Sequence, residues 1–327
     1  MKSVVRVVLV ASILAFGAMI LTPYPAAASG LFVTNTSSGM VNAFKLRSRG
    51  DSAPTATINL HNPQGEVVEP DCIAIDLTGK IYVTSQFGGS AGTGSIEIYS
   101  GGGSGDDTPI ATIAGDATGL DGAYGIAVDA SGNIYVTNAK ASSVTVYAPG
   151  SAGNAKPVST IAGPKTHLQV PYGITVDPRG AIYVANSEGG PAQTGSITVF
   201  DPGSRGNVRP TAIIAGDRTK LDAPWAVARD SAGNLCVANL SGNSVTIFAA
   251  GSSGNVRPSA AISGAATGLN HPQGIAVDAA GRIYVANFGG SSVTVYAAGS
   301  DGDIVPSATL AGISTGLSQP TGIAIAP

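Results

Sequence analysis

The sequence predicts an all-β fold, a six-bladed β-propeller of four-stranded antiparallel blades, and three observations predict it. A unit of roughly 50 residues repeats along the chain, a period that marks propellers and solenoids. Each unit holds four short runs rich in Val, Ile, Thr and Tyr, separated by Gly and Pro. The last copy stops after one strand, and the three strands it lacks stand at the other end of the chain.

Composition points the same way. Charged residues make up 11 % of the chain, while 45 Gly and 20 Pro are spread evenly rather than pooled in a linker. Such a chain is poor in helix-forming charged residues and rich in turn formers.

Residues 1–28 stand apart from the repeats. Lys2 and Arg6 give a positive start, residues 7–21 are uncharged and mostly apolar, and Pro23 and Pro25 break the run. Ala26, Ala27 and Ala28 then supply an A-x-A cleavage site. This layout predicts a secretory signal peptide over 1–28 and export to the periplasm or the exterior. The apolar run is short for a span of about 20 residues. No second run of spanning length follows, so no stable membrane insertion is expected after cleavage. Residues 29–327 are expected to form a single propeller domain. Losing Lys2 and Arg6 moves the formal charge from −3 to −5, which excludes nucleic acid as a partner because that calls for a basic face.

Strand A of the repeat is Gly-Ile-Ala-Val-Asp at 125–129, with copies at 173–177, 226–230 and 274–278 and a weaker one at 72–76. Strand B is Ile-Tyr-Val-Thr-Asn at 134–138, recurring at 182–186, 235–239, 283–287 and 81–85. Strand C is the Ser-Val-Thr-Val-Tyr type at 143–147, 244–248 and 292–296. Strand D ends in Ala-Gly or Ser-Gly, as at 159–163 and 309–312. Four antiparallel strands per repeat is blade architecture. A leucine-rich repeat would give one strand per shorter unit, and helical repeats would show a period of about 3.6.

The A–B turn reads Asp-x-x-Gly in every copy, starting at Asp76, Asp129, Asp177, Asp230 and Asp278. Asp accepts backbone N–H bonds at the start of a type I turn, and Gly takes the left-handed position that opens a bulge. The turn accounts for each aspartate singly, so a ring of metal ligands is not needed. Strand D starts near Pro109, Pro157, Pro210, Pro258 and Pro306. Proline cannot donate to a ladder, which places D outermost and discourages edge-to-edge pairing. Lys156, Arg209 and Arg257 precede three of these prolines as solvated charges.

Residues 320–325 are a sixth strand A. Residues 31–35 match strand B in register, and 41–45 and 55–60 supply C and D. The closing blade is therefore expected to join both ends of the chain. Cys72 and Cys236 fall in blades too far apart for a disulfide and are read as small buried side chains.

The pattern Pro-x-Gly-Ile-Ala-Val-Asp-x-x-Gly-x-Ile-Tyr-Val-Ala-Asn resembles the NHL repeat of bacterial extracytoplasmic propellers, from Leu31 to Pro327. The resemblance implies a binding module for protein, peptide or glycan. Related six-bladed propellers include gluconolactonase-like hydrolases, virginiamycin B lyases and peptide-amidating lyases. The amidating lyases use three histidine zinc ligands; His61, His167 and His271 lie in loops from strand D to strand A, but each at its own offset. The lactonase-like enzymes hold a divalent cation with Glu, Asn and Asp; among Glu66, Glu69, Glu97 and Glu188 only Glu188 lies just beyond a strand B. The lyase group favours Trp and Glu where this chain has Tyr-Val-Ala-Asn. No catalytic set, metal site or cofactor is therefore expected.

Propeller ligands usually sit at one mouth of the central channel. The residue two before the first Ile or Val of strand A belongs there: Asp71, Tyr124, Tyr172, Trp225, Gln273 and Thr321. Neighbouring columns repeat because each blade needs the same part, whereas this column varies. Tyr124, Tyr172 and Trp225 are read either as a platform for a sugar ring or peptide side chain or as rings plugging the channel. Asn35, Asn138, Asn186, Asn239 and Asn287, with Ser85 in the remaining blade, are read as caps of the B–C turns. Two B–C loops, 86–94 and 187–195, are longer by five residues and are expected to flank the mouth at Tyr124. The leading expectation is an exported, non-catalytic binding propeller for a peptide, protein or glycan. The alternatives are a metal-dependent lyase or lactone hydrolase, and a structural envelope protein.

Overall fold

The computed structural model describes residues 30–89, 92–191 and 193–326. The leader expected over 1–28 lies outside these residues. β1 (Gly30–Asn35), β2 (Met40–Lys45) and β3 (Ala56–Leu60) are the outer strands of the first blade. The second blade is β4 (Cys72–Ile75), β5 (Ile81–Ser85), β6 (Ser95–Tyr99) and β8 (Ala111–Ile113), with the short β7 (Gly105–Asp107) leaving it. The third is β9 (Ala123–Val128), β10 (Ile134–Asn138), β11 (Ser143–Tyr147) and β12 (Ser159–Ala162). The fourth is β13 (Pro171–Val176), β14 (Ile182–Asn186), β15 (Ser196–Phe200) and β16 (Ala212–Ile214). The fifth is β17 (Pro224–Arg229), β18 (Leu235–Asn239), β19 (Ser244–Phe248) and β20 (Ala260–Ser263). The sixth is β21 (Pro272–Val277), β22 (Ile283–Asn287), β23 (Ser292–Tyr296) and β24 (Ala308–Leu310). β25 (Pro320–Ile325) then returns to β1, with Val33 opposite Ile323 and Leu31 opposite Ile325. Six four-stranded antiparallel blades thus close as a ring, and both ends of the described chain meet in the first blade.

Hydrophobic burial follows from the stacking of blades. The core consists of six clusters, each made by the facing sheets of two neighbouring blades. One aromatic ring per blade anchors them at the end of the third strand: Phe44, Tyr99, Tyr147, Phe200, Phe248 and Tyr296 are almost fully buried. Aromatic side chains bury the most area per residue. Tyr147 and Tyr296 also donate their hydroxyls to Thr118 O (2.8 Å) and Thr267 O (2.6 Å).

The Asp-x-x-Gly turns form as the sequence predicts. In the second blade Gly79 N donates to Asp76 O (2.9 Å), and the Asp76 carboxylate accepts the N–H groups of Thr78 (2.8 Å) and Lys80 (3.0 Å). The same carboxylate accepts the hydroxyl of Tyr82 (3.0 Å), as Asp129 does from Tyr135 (3.0 Å) and Asp278 from Tyr284 (3.1 Å). In these three blades the tyrosine of strand B is therefore part of the turn. Burial alone would raise these carboxyls, but the hydrogen bonds outweigh it and hold Asp76, Asp129 and Asp278 below the usual range. Asp177 is lowered in the same way, with Arg179 helping.

Proline is not the only cover of the outer edges. A Gly in each loop between the third and fourth strands pairs in parallel with the outermost strand of the preceding blade. Gly153 N donates to Thr112 O (2.6 Å), and Ala114 N donates back to Gly153 O (3.1 Å). Gly206, Gly254, Gly302 and Gly50 repeat this around the ring, and β7 does so on β3 as a full short strand. In five blades the residue after that Gly accepts a backbone N–H of the preceding blade. These pairs are Ala117 to Asn154 (2.7 Å), Lys165 to Asn207 (2.8 Å), Arg218 to Asn255 (2.9 Å), Ala266 to Asp303 (2.8 Å) and Ser314 to Asp51 (2.7 Å). Blades are thereby clasped at the rim as well as packed through their faces.

Candidate functional site: the mouth of the central channel

The inner strands β4, β9, β13, β17, β21 and β25 surround the channel, which holds a cavity of about 270 Å³. Its lining brings Tyr124, Tyr172, Trp225, Gln273 and Thr321 together. Asp71, the sixth residue of the column, does not line that cavity. Its Oδ2 accepts the backbone N–H of Gln86 (2.6 Å).

The three aromatic rings pack on one another. Tyr172 lies on Trp225 with centroids 3.7 Å apart and planes 15° from parallel. Tyr124 stands edge-on to both, at 4.7 Å from Tyr172 and 5.6 Å from Trp225. Trp225 Nε1 donates to the Tyr124 hydroxyl (2.7 Å), which donates to Gln273 Oε1 (3.1 Å). This chain of bonds links the third, fifth and sixth blades across the mouth. Tyr124 is buried, whereas Tyr172 and Trp225 are half-buried. Thr321 is buried as well, its hydroxyl lying 3.0 Å from those of Thr34 and Thr36 and donating to Pro70 O (3.2 Å).

Charge at the mouth is acidic. Burial pushes the Asp71 carboxyl up to about 7, with the Glu69 charge adding and the Gln86 N–H opposing. Burial and then the Asp71 charge hold the Tyr124 hydroxyl well above its ordinary value. The Tyr172 hydroxyl is raised by burial and by the charges of Glu188 and Asp71.

The asparagines ending strand B have a different job from the turn caps expected of them. Each is completely buried, and its Oδ1 accepts a backbone N–H from the loop that leads into its own inner strand. The donors are Asp121 to Asn138 (3.1 Å), Gln169 to Asn186 (3.2 Å), Asp222 to Asn239 (3.2 Å), Asn270 to Asn287 (3.2 Å) and Ser318 to Asn35 (3.0 Å). Each donor stands three residues before a mouth residue, so the asparagines fix the loops that carry the mouth. The loop at 86–94 leans on the strand of Tyr124 through Gly122 N to Thr93 O (2.8 Å). The loop at 187–195 leans on that of Trp225 through Ala223 N to Thr194 O (3.0 Å).

Two further observations bear on chemistry. Among the described residues no three His, Cys, Asp or Glu side chains come together to hold a metal ion, and His61, His167 and His271 stay apart. Glu97, set aside above because it does not lie just beyond a strand B, is 2 % exposed, and burial pushes its carboxyl up to about 7. Its signal was visible as a Glu in a column of Thr.

These shifts set a pH profile. Asp76, Asp129, Asp177 and Asp278 have folded pKa values below the unfolded ones, so their stabilisation is lost as pH falls through the folded values. Asp71 and Glu97 have raised values. They favour the fold fully below the unfolded carboxyl pKa of about 4, and less as pH climbs towards 7. The melting temperature is therefore expected to peak near pH 4–5 and to decline towards neutrality, roughly the window between those pKa values. Asp71→Asn and Glu97→Gln should each flatten the decline. A wild-type profile that rises from pH 5 to 7 would contradict this assignment.

Residues 269–296 match the NHL repeat. The chain is a six-bladed propeller carrying an NHL repeat. No curated protein sequence matches it. The propeller is similar to a chain of the nidogen/laminin complex, with a TM-score of 0.62 at 17 % identity over 91 % of this chain and 98 % of that one. It is also similar to a protein of unknown function from Bacteroides caccae (TM-score 0.61, 11 % identity, 91 % and 99 % covered). A streptogramin B lyase gives a TM-score of 0.53 at 15 % identity, covering 93 % and 92 %. Identities this low carry the fold alone, because one propeller scaffold hosts many unrelated sites.

Proposed function

We infer that this chain is an exported, non-catalytic binding propeller that takes a peptide, protein or glycan at the Tyr124–Tyr172–Trp225 mouth. One observation carries the reading. The aromatic residues of an otherwise varied column converge at a single mouth, two of them half-buried, beside an acidic side chain. Aromatic surface of this kind offers contact area at small entropic cost. Export rests on the leader-like layout of residues 1–28.

Trp225 is the only tryptophan, so its fluorescence reports directly on the mouth. A ligand found on glycan or peptide arrays is expected to alter that emission saturably. Trp225→Ala and Tyr172→Ala should weaken binding by about 10- to 100-fold, the range of an aromatic hot spot. Ligands whose affinity both variants leave untouched would remove the mouth as the site.

The enzyme reading has one feature in its favour, the Asp71 carboxyl that burial pushes up to about 7, the range where general acid–base chemistry works best. Stoichiometric metal in the purified protein, or a clear thermal shift with calcium, magnesium or zinc, would favour a lyase or lactone hydrolase over the binding propeller.

A further inference from the structure

The second blade departs from the others at two buried positions at once. Where they end strand B in Asn, it has Ser85. Where four of them carry Thr145, Thr198, Thr246 and Thr294, it has Glu97. In those four the two side chains are tied, Asn Nδ2 donating to Thr Oγ1 at 3.1 to 3.2 Å. The second blade has no such tie. A cavity of about 320 Å³ lies there instead, lined by Ser85 and Glu97 and by the hairpin that carries Glu66, Val67 and Glu69.

Glu97 is the buried polar wall of this cavity. It is 2 % exposed, and its Oε2 has no hydrogen-bond partner among the described residues. An unmatched buried carboxylate is costly, and burial accordingly pushes its carboxyl up to about 7. Glu66 and Glu69 are exposed at the lip, and the apolar side chains of Val67 and Phe87 are each 63 % exposed beside them. No Lys, Arg or His lines the cavity. Phe87 already faces one ammonium, with Lys140 Nζ 4.9 Å from its ring centroid.

A hard metal ion wants several oxygen ligands at once, and no group of three acidic or His/Cys side chains is assembled here among the described residues. An acidic floor, an acidic lip and an apolar rim instead complement an organic cation on an apolar stem. We propose that this cavity binds the end of a basic side chain, a lysine ammonium or arginine guanidinium of a polypeptide partner, with Glu97 as its counter-charge. The site shares no lining residue with the channel cavity, so the proposal goes beyond the reading of the mouth.

Titration of the ¹⁵N-labelled protein followed by NMR tests this, with N-acetyl-lysinamide, N-acetyl-argininamide, uncharged N-acetyl-norleucinamide, spermidine and calcium as probes. Saturable shifts at the amides of Ser85, Gly88 and Gly89 are expected with the lysine and arginine probes and not with norleucine. Glu97→Gln should weaken both about tenfold or more, as expected for a lost charge-assisted hydrogen bond, and Trp225→Ala should leave them unchanged. Glu69→Lys, on the exposed lip, gives a variant whose fold is not in question and should weaken both probes several-fold. The proposal falls if neither basic probe produces saturable shifts, if norleucine binds equally well, or if affinity survives in both variants. Displacement of the lysine probe by calcium at lower concentration would make this a metal site instead. Tighter binding of spermidine than of either amino acid would overturn a polypeptide as the source of the cation.

Discussion

A chain ending at Gln319 is expected to lose cooperative folding. The cut removes β25, the inner strand of the first blade, and leaves the edge of β1 open towards the channel. It also removes Ile323, which is 7 % exposed and packs with Leu31, Val33 and Phe44 against the sixth blade. Gly322 N to Thr34 Oγ1 (2.6 Å) and Ala326 N to Gly30 O (2.9 Å) go with it. Two isoleucine side chains lost from a packed site cost on the order of 4–10 kcal/mol on the cavity scale, against a typical total of about 5–15 kcal/mol. The rim clasp at Gly50 and Asp51 still joins the first blade to the sixth, but it closes the outside of the ring and cannot replace an inner strand. Thermal melting of the truncated chain should show a broad transition or one displaced by roughly 6–16 °C, which is what such a loss implies for a chain this long. A peptide of residues 320–327 added in trans should restore part of it. A truncated chain melting within a few degrees of the full one would show that the strand is dispensable.

The fold was legible because its parts recur. Asp129 and Gly132 make the same turn as Asp278 and Gly281, and a single chain shows the repetition without any relative beside it. Ring closure was legible for the same reason, since residues 31–35 fit the column of strand B. What escaped were contacts between repeats. Gly153-Asn154, Gly206-Asn207 and Gly254-Asn255 recur as faithfully as the turns, yet they read as ordinary loop residues. Their partners, Gly115, Gly163 and Gly216, stand in the preceding blade. A Cβ on those glycines would come within 2.5 to 2.7 Å of the Asn side chain. The asparagines ending strand B were noticed but misjudged, because a turn cap and a buried tie to a distant loop look alike in one dimension. At the mouth, the column was visible, but not that Tyr124 would lie under the others or that Asp71 would turn to Gln86 N. Those outcomes depend on rings from three blades competing for one space.

Gly125→Ala should be the most damaging single methyl added to the inner ring. A Cβ there would fall inside contact distance of the Tyr172 carbonyl oxygen and 2.9 Å from Thr137 Oγ1. Both groups are committed, since Thr137 accepts Gly125 N (2.8 Å) and donates to that same carbonyl (2.7 Å). The fourth-blade strand cannot retreat locally, because Gly173 in turn would place a Cβ 2.6 Å from Ala226 Cα in the fifth. Overpacking in such a rigid setting costs about 1–3 kcal/mol, occasionally more. For a chain this long that lowers the melting temperature by roughly 2–5 °C. The strand that must shift carries Tyr172, so the stack on Trp225 should open and the fluorescence of Trp225 should change even without ligand. Ala226→Gly removes a methyl from the same column and should cost under about 1 kcal/mol, chiefly backbone entropy, with emission unchanged. Equal melting temperatures for Gly125→Ala and wild type would mean that the inner strands have room to part, and that the glycines of this column are not there for close approach.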